Sequence, residues 1–155
     1  MTGSEWADSR RYIAPGTSPE PGEWRTDRVP YAREIMDTIT DAKTEEIVLM
    51  MSSQVGKSEI LLNAMGYYID QEPSPILMVQ PTVDVAEAFS KERISPTIEY
   101  SKHLKDKVMP ESKTGRGSSR RSDDTILTKS FTGGYLALVG SKRPAGLDSR
   151  PIRIL

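Results

Sequence analysis

The chain lacks several residue types on which whole classes of site depend. It has no cysteine, which excludes a disulfide scaffold, a thiolate metal site and a cysteine nucleophile. Its single histidine, His103, is interpreted as an ordinary residue on a helix surface and leaves no material for a histidine-rich metal centre. Apolar runs such as 47–51 are too short to cross a bilayer, and residues 1–11 lack the apolar core of a signal peptide. We therefore expect a cytoplasmic protein without a membrane partner.

An excess of charge of either sign is also missing. The 155 residues include 21 basic and 22 acidic side chains, and the net charge of −1 predicts no global basic surface for nucleic acid. Contact with DNA would need a local patch. The polar stretch 110–124 contains four basic residues among glycines and serines. We interpret it as a solvated loop, with contact to DNA phosphates as the alternative.

The amino-terminal stretch 1–29 has little apolar periodicity and is rich in proline and glycine. We predict an extended arm over 1–29, either lying across the surface or partly disordered, followed by a domain over 30–155. Large aromatic residues are unusual for a free linker, so parts of the arm are expected to dock onto the domain or onto a partner. These residues are Trp6, Tyr12 and Trp24.

Residues 30–79 have the pattern of alternating helices and strands that is typical of an α/β fold. A helix is predicted from Pro30, because apolar residues recur at helical spacing after it. The continuous apolar run within 45–51 predicts a fully buried strand, a second helix covers Ile60 onward, and 76–79 predicts a second buried strand. The crossover between these strands is long enough for a βαβ unit, so we expect them to be parallel. The predicted fold has three layers and a mainly parallel sheet.

The second half of the chain predicts shorter elements. Thr82 is in position to cap a third helix, and Ser95-Pro96 opens a fourth. The inner face of the third helix is expected to hold Val85, Ala88 and Phe89. Residues 125–131 and 135–139 predict a hairpin with glycines in its turn, and 151–155 predicts the start of a third parallel strand.

The tripeptide Gly56-Lys57-Ser58 stands between a predicted strand and a predicted helix. Phosphate binding requires converging backbone N–H groups, a helix N-terminus, a lysine, and a hydroxyl for Mg²⁺. Gly56 would let the backbone approach the phosphates closely. Lys57 would contact the β- and γ-phosphates, and Ser58 Oγ would bind Mg²⁺. The cofactors expected are therefore ATP and Mg²⁺, bound at the carboxyl ends of the strands.

The motif departs from the usual P-loop pattern in one position. That pattern has a glycine five positions before Gly56, and this chain has Met51 there. A bare Gly-Lys-Ser arises often by chance, since glycine makes up about 7% of residues in proteins. Its place between a strand and a helix favours phosphate binding over a plain helix N-terminus. The predicted binding residues are Ser53, Gln54, Val55, Gly56, Lys57 and Ser58, with Lys57 also the predicted catalytic residue.

Residues 52–58 (SSQVGKS) resemble the variant Walker A motif of phage terminase large subunits, where a glutamine often precedes the Gly-Lys-Ser by one residue. Three further stretches resemble the lambda-like branch of that family. Residues 30–37 (PYAREIMD) resemble the helix ahead of the P-loop, near where adenine packs. Residues 81–94 resemble the segment after the second strand, and 140–151 resemble the loop that enters the Walker B strand. This ordered set is more specific than the Walker motif alone.

The resemblance implies a P-loop ATPase domain that drives translocation of double-stranded DNA during genome packaging in the host cytoplasm. It implies a small terminase subunit, a portal and further copies of the chain as partners. It also implies adenine contacts from Tyr31 and Arg33, for which packing and solvation on a helix surface is the alternative.

The carboxyl-terminal residues depart from the family pattern. In the family, the strand that 151–155 would begin continues to an Asp-Glu pair, which holds Mg²⁺ and positions water, and a nuclease domain follows. Neither is present in the 155 residues. The resemblance therefore implies a partial ATPase domain, truncated before the Walker B acids, that does not hydrolyse ATP alone. The alternatives are a helicase-like DNA-dependent ATPase and a non-catalytic nucleotide-binding fragment.

Two further groups of charged residues are candidates for chemistry. Asp84 and Glu87 stand three residues apart and are interpreted as acids that complement a helix dipole, rather than as a carboxylate pair. The candidates for an arginine that senses the γ-phosphate are Arg93, Arg143 and Arg150.

Overall fold

The computed structural model describes residues 1–108, 126–142 and 151–155. Over these residues the chain forms helices and a mixed sheet, which confirms the predicted α/β class. The helices are α1 (Gly3–Arg10), α2 (Tyr31–Ile39), α3 (Lys57–Asp70), α4 (Val83–Phe89), α5 (Ser95–Tyr100) and α6 (Lys102–Lys105). The strands are β1 (Tyr12–Ile13), β2 (Gly22–Glu23), β3 (Ile76–Gln80), β4 (Thr128–Phe131) and β5 (Gly134–Gly140). A π-helical segment, Ser90–Ile94, joins α4 to α5. No helix in these ranges is long and apolar enough to cross a membrane.

The main sheet has the strand order β3-β5-β4. Strands β4 and β5 form the predicted hairpin, whose turn residue Gly133 has a φ of 91°, a conformation that glycine adopts without strain. Strand β3 is parallel to β5 on one side. On its other side Ile76 forms a parallel bridge with Ile154, and Leu77 N–H donates a 2.8 Å hydrogen bond to Ile154 O. The parallel pairing predicted for 151–155 is therefore confirmed at its first contact.

Helix α3 lies at the centre of the packing, where the second helix was predicted. Ile60, Met65 and Tyr68 are buried, as their helical spacing indicates, whereas Leu61 is partly exposed. Gly66 contacts the indole ring of Trp6 so closely that a Cβ on Gly66 would lie 2.1 Å from the ring. The absence of a side chain at this position lets α1 pack directly on the backbone of α3.

Asp70, the last residue of α3, is a buried carboxylate with several partners. It accepts 2.8 Å hydrogen bonds from Trp6 Nε1 and Gln71 Nε2, and it pairs with Arg10 at 2.5 Å and Lys107 at 2.7 Å. Burial alone would raise the pKa of Asp70, but the hydrogen bonds from Lys107, Trp6, Arg10 and Gln71 outweigh it and lower the pKa to about 2. This cluster joins α1 and the residues after α6 to the end of α3.

The extended arm predicted over 1–29 is in part helical and is docked. A capping box begins α1, in which Thr2 Oγ1 accepts from Glu5 N–H at 3.4 Å and the Glu5 carboxylate accepts from Thr2 N–H at 2.9 Å. The helix buries small residues together with Trp6, so it has no apolar stripe from which helical periodicity could be read. The predicted docking is confirmed for Trp6 and Trp24, which are buried, while Tyr12 is partly exposed.

The buried strand predicted over 45–51 was wrong. Val48 and Met50 are 77% and 95% exposed, and within the described ranges no backbone hydrogen bond pairs this segment with a strand. Ile47 and Leu49 instead line a cleft of about 530 Å³, whose other lining residues include all of β3. The βαβ unit expected from 45–51 and β3 is therefore not formed. A short apolar run does not by itself distinguish a fully buried strand from an extended segment with one inward side.

The third predicted helix is present as α4, and its cap is confirmed. Thr82 Oγ1 accepts a 3.2 Å hydrogen bond from Val85 N–H. Of the predicted inner-face residues, Phe89 packs against the core as expected. Val85 and Ala88 are exposed, and Ala86 is buried in their place. A Cβ on Gly140 would lie 2.6 Å from the backbone of α4, so β5 approaches the first turn of this helix closely. This contact between α4 and β5, which are far apart in sequence, determines which face of α4 is buried.

Candidate phosphate-binding loop

The predicted phosphate loop, residues 52–58, leads directly into α3. Gly56 is the N-cap, with φ 81° and ψ 14°, a left-handed conformation that suits glycine. Gln54 also has a positive φ, 60°, and it is the one non-glycine residue in the described ranges that does. A non-glycine residue held there costs about 1–3 kcal/mol, and such positions cluster at functional sites. Turns of this kind bring successive N–H groups together around an anion.

Lys57 begins α3, and its ammonium group turns back over the loop. Nζ donates 3.0 Å hydrogen bonds to Met51 O and to Ser52 O, at the start of the loop. Ser53 and Gln54 are exposed, so the loop is accessible from solvent. A phosphate oxygen carries negative charge and attracts an ammonium more strongly than a carbonyl dipole does. The position of Lys57 therefore fits the binding of a phosphate chain.

Ser58, the predicted Mg²⁺ ligand, follows Lys57 in the first turn of α3 and is partly buried. Across 1–108, 126–142 and 151–155, no group of three or more His, Asp or Glu side chains is placed to hold a metal ion. Mg²⁺ is usually bound through one or two protein oxygens together with substrate phosphates, rather than in an all-protein cage. Ser58 thus fits a metal ion that arrives with its nucleotide.

Tyr31 and Arg33, the predicted adenine contacts, lie on different faces of α2. The Tyr31 hydroxyl donates a 2.8 Å hydrogen bond to Val55 O in the loop, and half of the Tyr31 side chain is exposed. Arg33 instead pairs with Asp27 at 3.1 Å. Residues two apart on a helix do not face the same side. The structure therefore brings Tyr31 to the loop and places Arg33 away from it.

Arg93, one candidate for sensing the γ-phosphate, contacts the first turn of α3. It lies 3.6 Å from Glu59 and donates a 2.6 Å hydrogen bond to Thr17 O. Glu59 also pairs with the buried Arg11 at 3.0 Å. Burial lowers the pKa of Arg11, against the opposing effect of Glu59. Sequence reasoning missed Arg11 and Glu59, because an acid in a first turn is common and nothing local pairs it with an arginine 48 residues earlier.

The remaining candidates do not add to this site. Asp84 lies exposed in the first turn of α4, and Glu87 pairs with Lys91 at 3.8 Å along the helix surface. The interpretation as an acid that complements the helix dipole is met by Asp84, whereas Glu87 lies beyond the first turn of α4. Arg143, Arg150 and the basic stretch 110–124 lie outside the described residues.

Comparison with known proteins identifies relatives of this chain. Residues 18–155 match the family model described as phage terminase large subunit gpA, ATPase domain. The chain is 33% identical over 98 residues to the terminase large subunit of Escherichia phage lambda, and 32% identical over 98 residues to that of Enterobacteria phage P21. Each alignment covers 63% of this chain and 15% of the relative, so the chain spans a small part of their length. No solved structure matches it significantly.

The family match includes the predicted phosphate loop, α3 and the whole of the main sheet. It confirms the resemblance that residues 52–58 and three further stretches indicate. The match extends far beyond the loop itself. The chain therefore belongs to the ATPase-domain family of phage terminase large subunits.

Proposed function

We propose that this chain binds ATP with Mg²⁺ through residues 53–58, as the nucleotide-binding part of a motor that drives double-stranded DNA into phage capsids. Membership of the ATPase-domain family supports the reaction class. The observation that carries the assignment of the site is Lys57, whose ammonium turns into a loop that ends in the left-handed Gly56.

Each loop residue has a proposed part in holding the nucleotide. Lys57 would exchange the carbonyls of Met51 and Ser52 for oxygens of the β- and γ-phosphates. Backbone N–H groups of residues 53–58 would surround the phosphates at the positive end of α3. Ser58 would hold Mg²⁺, which would supply positive charge against the phosphates.

The adenine contacts are proposed on α2. The half-exposed ring of Tyr31 stands at the edge of the loop, where a base could pack against it. Arg33 would have to leave Asp27 to reach the same base. The two residues therefore make separable contributions to nucleotide affinity.

The wider role rests on family membership. In the complete motor, we propose that ATP hydrolysis is coupled to DNA translocation in the host cytoplasm, with a nuclease function elsewhere in the protein. The partners proposed are DNA, a small terminase subunit, a portal and further copies of the chain. A three-layer P-loop arrangement around the main sheet belongs to the same proposal.

The phosphate site is tested by titrating Mg-ADP and Mg-ATP into the wild type and Lys57→Ala. We expect the affinity of the variant to fall at least about tenfold, because charge-assisted contacts to the phosphates are lost. Lys102→Ala, which removes an exposed lysine from α6, is the matched control and should bind as the wild type does. Equal affinity of the wild type and Lys57→Ala would contradict the proposal.

A further inference from the structure

The Tyr31 hydroxyl forms a hydrogen bond with the phosphate loop. It donates to Val55 O at 2.8 Å and lies 3.9 Å from the position that a Cβ on Gly56 would take. Tyr31 is the first residue of α2, and that helix is anchored in the core by Ala32 and Met36, each 1% exposed. The donor therefore comes from a fixed helix, whereas the acceptor belongs to an exposed loop.

The accepting carbonyl is part of the peptide group between Val55 and Gly56. This peptide is trans. In a planar trans peptide, the C=O and N–H bonds point in opposite directions. A hydrogen bond that turns the Val55 carbonyl toward Tyr31 therefore turns the Gly56 N–H away from Tyr31. The Gly56 N–H is one of the donors proposed to hold the phosphates.

This peptide needs an external constraint because its second residue is glycine. Glycine populates positive and negative φ about equally, so Gly56 offers little resistance to a rotation that reverses the preceding peptide. The reversed peptide would place a carbonyl oxygen, with its partial negative charge, where an N–H should meet the phosphate. The same glycine that allows close approach of the phosphates thus also allows the loop to lose a donor.

We infer that Tyr31 is a positioning residue whose hydroxyl holds the peptide between Val55 and Gly56 in its phosphate-binding orientation. The inference rests on the proposed function of the loop and adds a role to Tyr31 that is separate from adenine packing. The hydroxyl acts on the phosphates through the backbone, while the ring is free to contact the base. Tyr31→Phe separates these roles, because it removes the hydroxyl and keeps the ring.

The test compares the wild type and Tyr31→Phe by calorimetric titration with Mg-ADP, Mg-ATP, magnesium pyrophosphate and adenosine. We expect the three phosphate ligands to bind roughly three- to tenfold more weakly to the variant, the range for loss of one hydrogen bond. Adenosine should bind both proteins equally. Tyr100→Phe removes the hydroxyl of another half-exposed tyrosine, on α5, and should leave all four affinities unchanged.

The second measurement is the NMR signal of the Gly56 amide during titration with pyrophosphate. We expect a large shift in the wild type and a reduced shift in Tyr31→Phe. The Gly56 resonance of the folded state is separate from that of unfolded molecules, so the comparison remains valid if the variant is less stable. Equal pyrophosphate affinity with an equal Gly56 shift would overturn the inference, as would weakening confined to ligands that carry adenine. A wild type that binds no phosphate ligand would overturn the proposed function as well.

Discussion

The indole of Trp6 donates a 2.8 Å hydrogen bond to the carboxylate of Asp70, 64 residues later in the chain. Arg10 and Lys107 pair with the same carboxylate, whose side chain is only 1% exposed. A buried charge is tolerated in a protein when it is paired and hydrogen-bonded, as here. The amino-terminal helix is thereby joined to the far end of the helix that begins at Lys57.

Replacing this carboxylate should destabilise the fold. We expect Asp70→Asn to lower the free energy of unfolding by about 2–3 kcal/mol, since it leaves Arg10 and Lys107 without their counter-charge. Urea unfolding at neutral pH measures the change. Asp106→Asn removes an exposed carboxylate close to Lys107 and should change stability by less than about 0.5 kcal/mol. Equal effects of the two substitutions would show that the cluster contributes no specific stability.

The difference in unfolding free energy between the wild type and Asp70→Asn should also depend on pH. Folding lowers the pKa of Asp70 from its ordinary value of 3.8 to about 2, so the folded chain binds this proton less readily than the unfolded chain. The stabilisation is therefore complete above pH 3.8 and is lost as the pH falls through 3.8 toward 2, with a total of about 2 kcal/mol. The stability difference between wild type and Asp70→Asn should shrink across that window. A difference that stays constant between pH 5 and pH 2 would contradict the assignment.

The contact between α1 and α3 predicts that a methyl group added at Gly66 lowers the free energy of unfolding. Alanine favours a helix over glycine by about 1 kcal/mol, yet we expect Gly66→Ala to destabilise the chain by about 1–3 kcal/mol. The reason is the rigid Trp6 ring, which would lie 2.1 Å from the new Cβ. The double variant Trp6→Leu/Gly66→Ala should show a favourable interaction energy in a double-mutant cycle of unfolding measurements. If the effects of the two substitutions on the free energy of unfolding simply add, the contact between Trp6 and Gly66 is contradicted.

We expect the 155 residues to bind ATP and to hydrolyse it slowly. Phosphoryl transfer needs a positioned water and a carboxylate that holds the metal ion. Glu59, an acid in the same helical turn as Lys57, already pairs with Arg11 and Arg93. Phosphate release at saturating Mg-ATP, with Lys57→Ala as the blank, measures turnover. Steady hydrolysis abolished by Lys57→Ala would mean that another carboxylate holds the metal ion. The acids tested next would be Asp84 and, at the end of the polar stretch 110–124, Asp123 and Asp124.

The exposed apolar residues of 45–51 should cause self-association. Val48 and Met50 point outward beside a cleft lined by Ile47, Leu49 and the β3 strand, and exposed apolar surface of this kind promotes association. We expect Met50→Asp to reduce the apparent mass seen by light scattering at high concentration. Val85→Asp, which changes an exposed valine on α4, is the control and should leave the mass unchanged. A wild type that is monomeric throughout a dilution series would refute this prediction.

The elements that local pattern could predict are those whose contacts repeat along the sequence. Helix α3, strand β3 and the β4–β5 hairpin follow from helical spacing, an apolar run and turn glycines, and all three are present. Thr82 could be assigned as a cap because its partner, Val85 N–H, lies three residues away. The family match further confirms the resemblance that the phosphate loop and its neighbouring motifs indicate.

The elements that local pattern missed depend on partners far along the chain. Helix α1 has no apolar stripe, and its burial depends on Gly66 and Asp70, some sixty residues away. The apolar run in 45–51 satisfies the pattern of a buried strand, but strand formation also requires a hydrogen-bonding neighbour, which periodicity does not report. The hydrogen bond from Tyr31 to Val55 was missed for the same reason, because sequence spacing does not indicate a contact between a tyrosine hydroxyl and a loop carbonyl 24 residues later.

The close approach of Trp6 to Gly66 also predicts how these two positions change during evolution. The indole occupies the space that any side chain at position 66 would need. A change at either position alone is therefore costly, whereas a smaller residue at 6 combined with a larger one at 66 keeps the volume of the core. We expect the two positions to change together among descendants of this chain, although position 6 lies outside the family match that begins at residue 18.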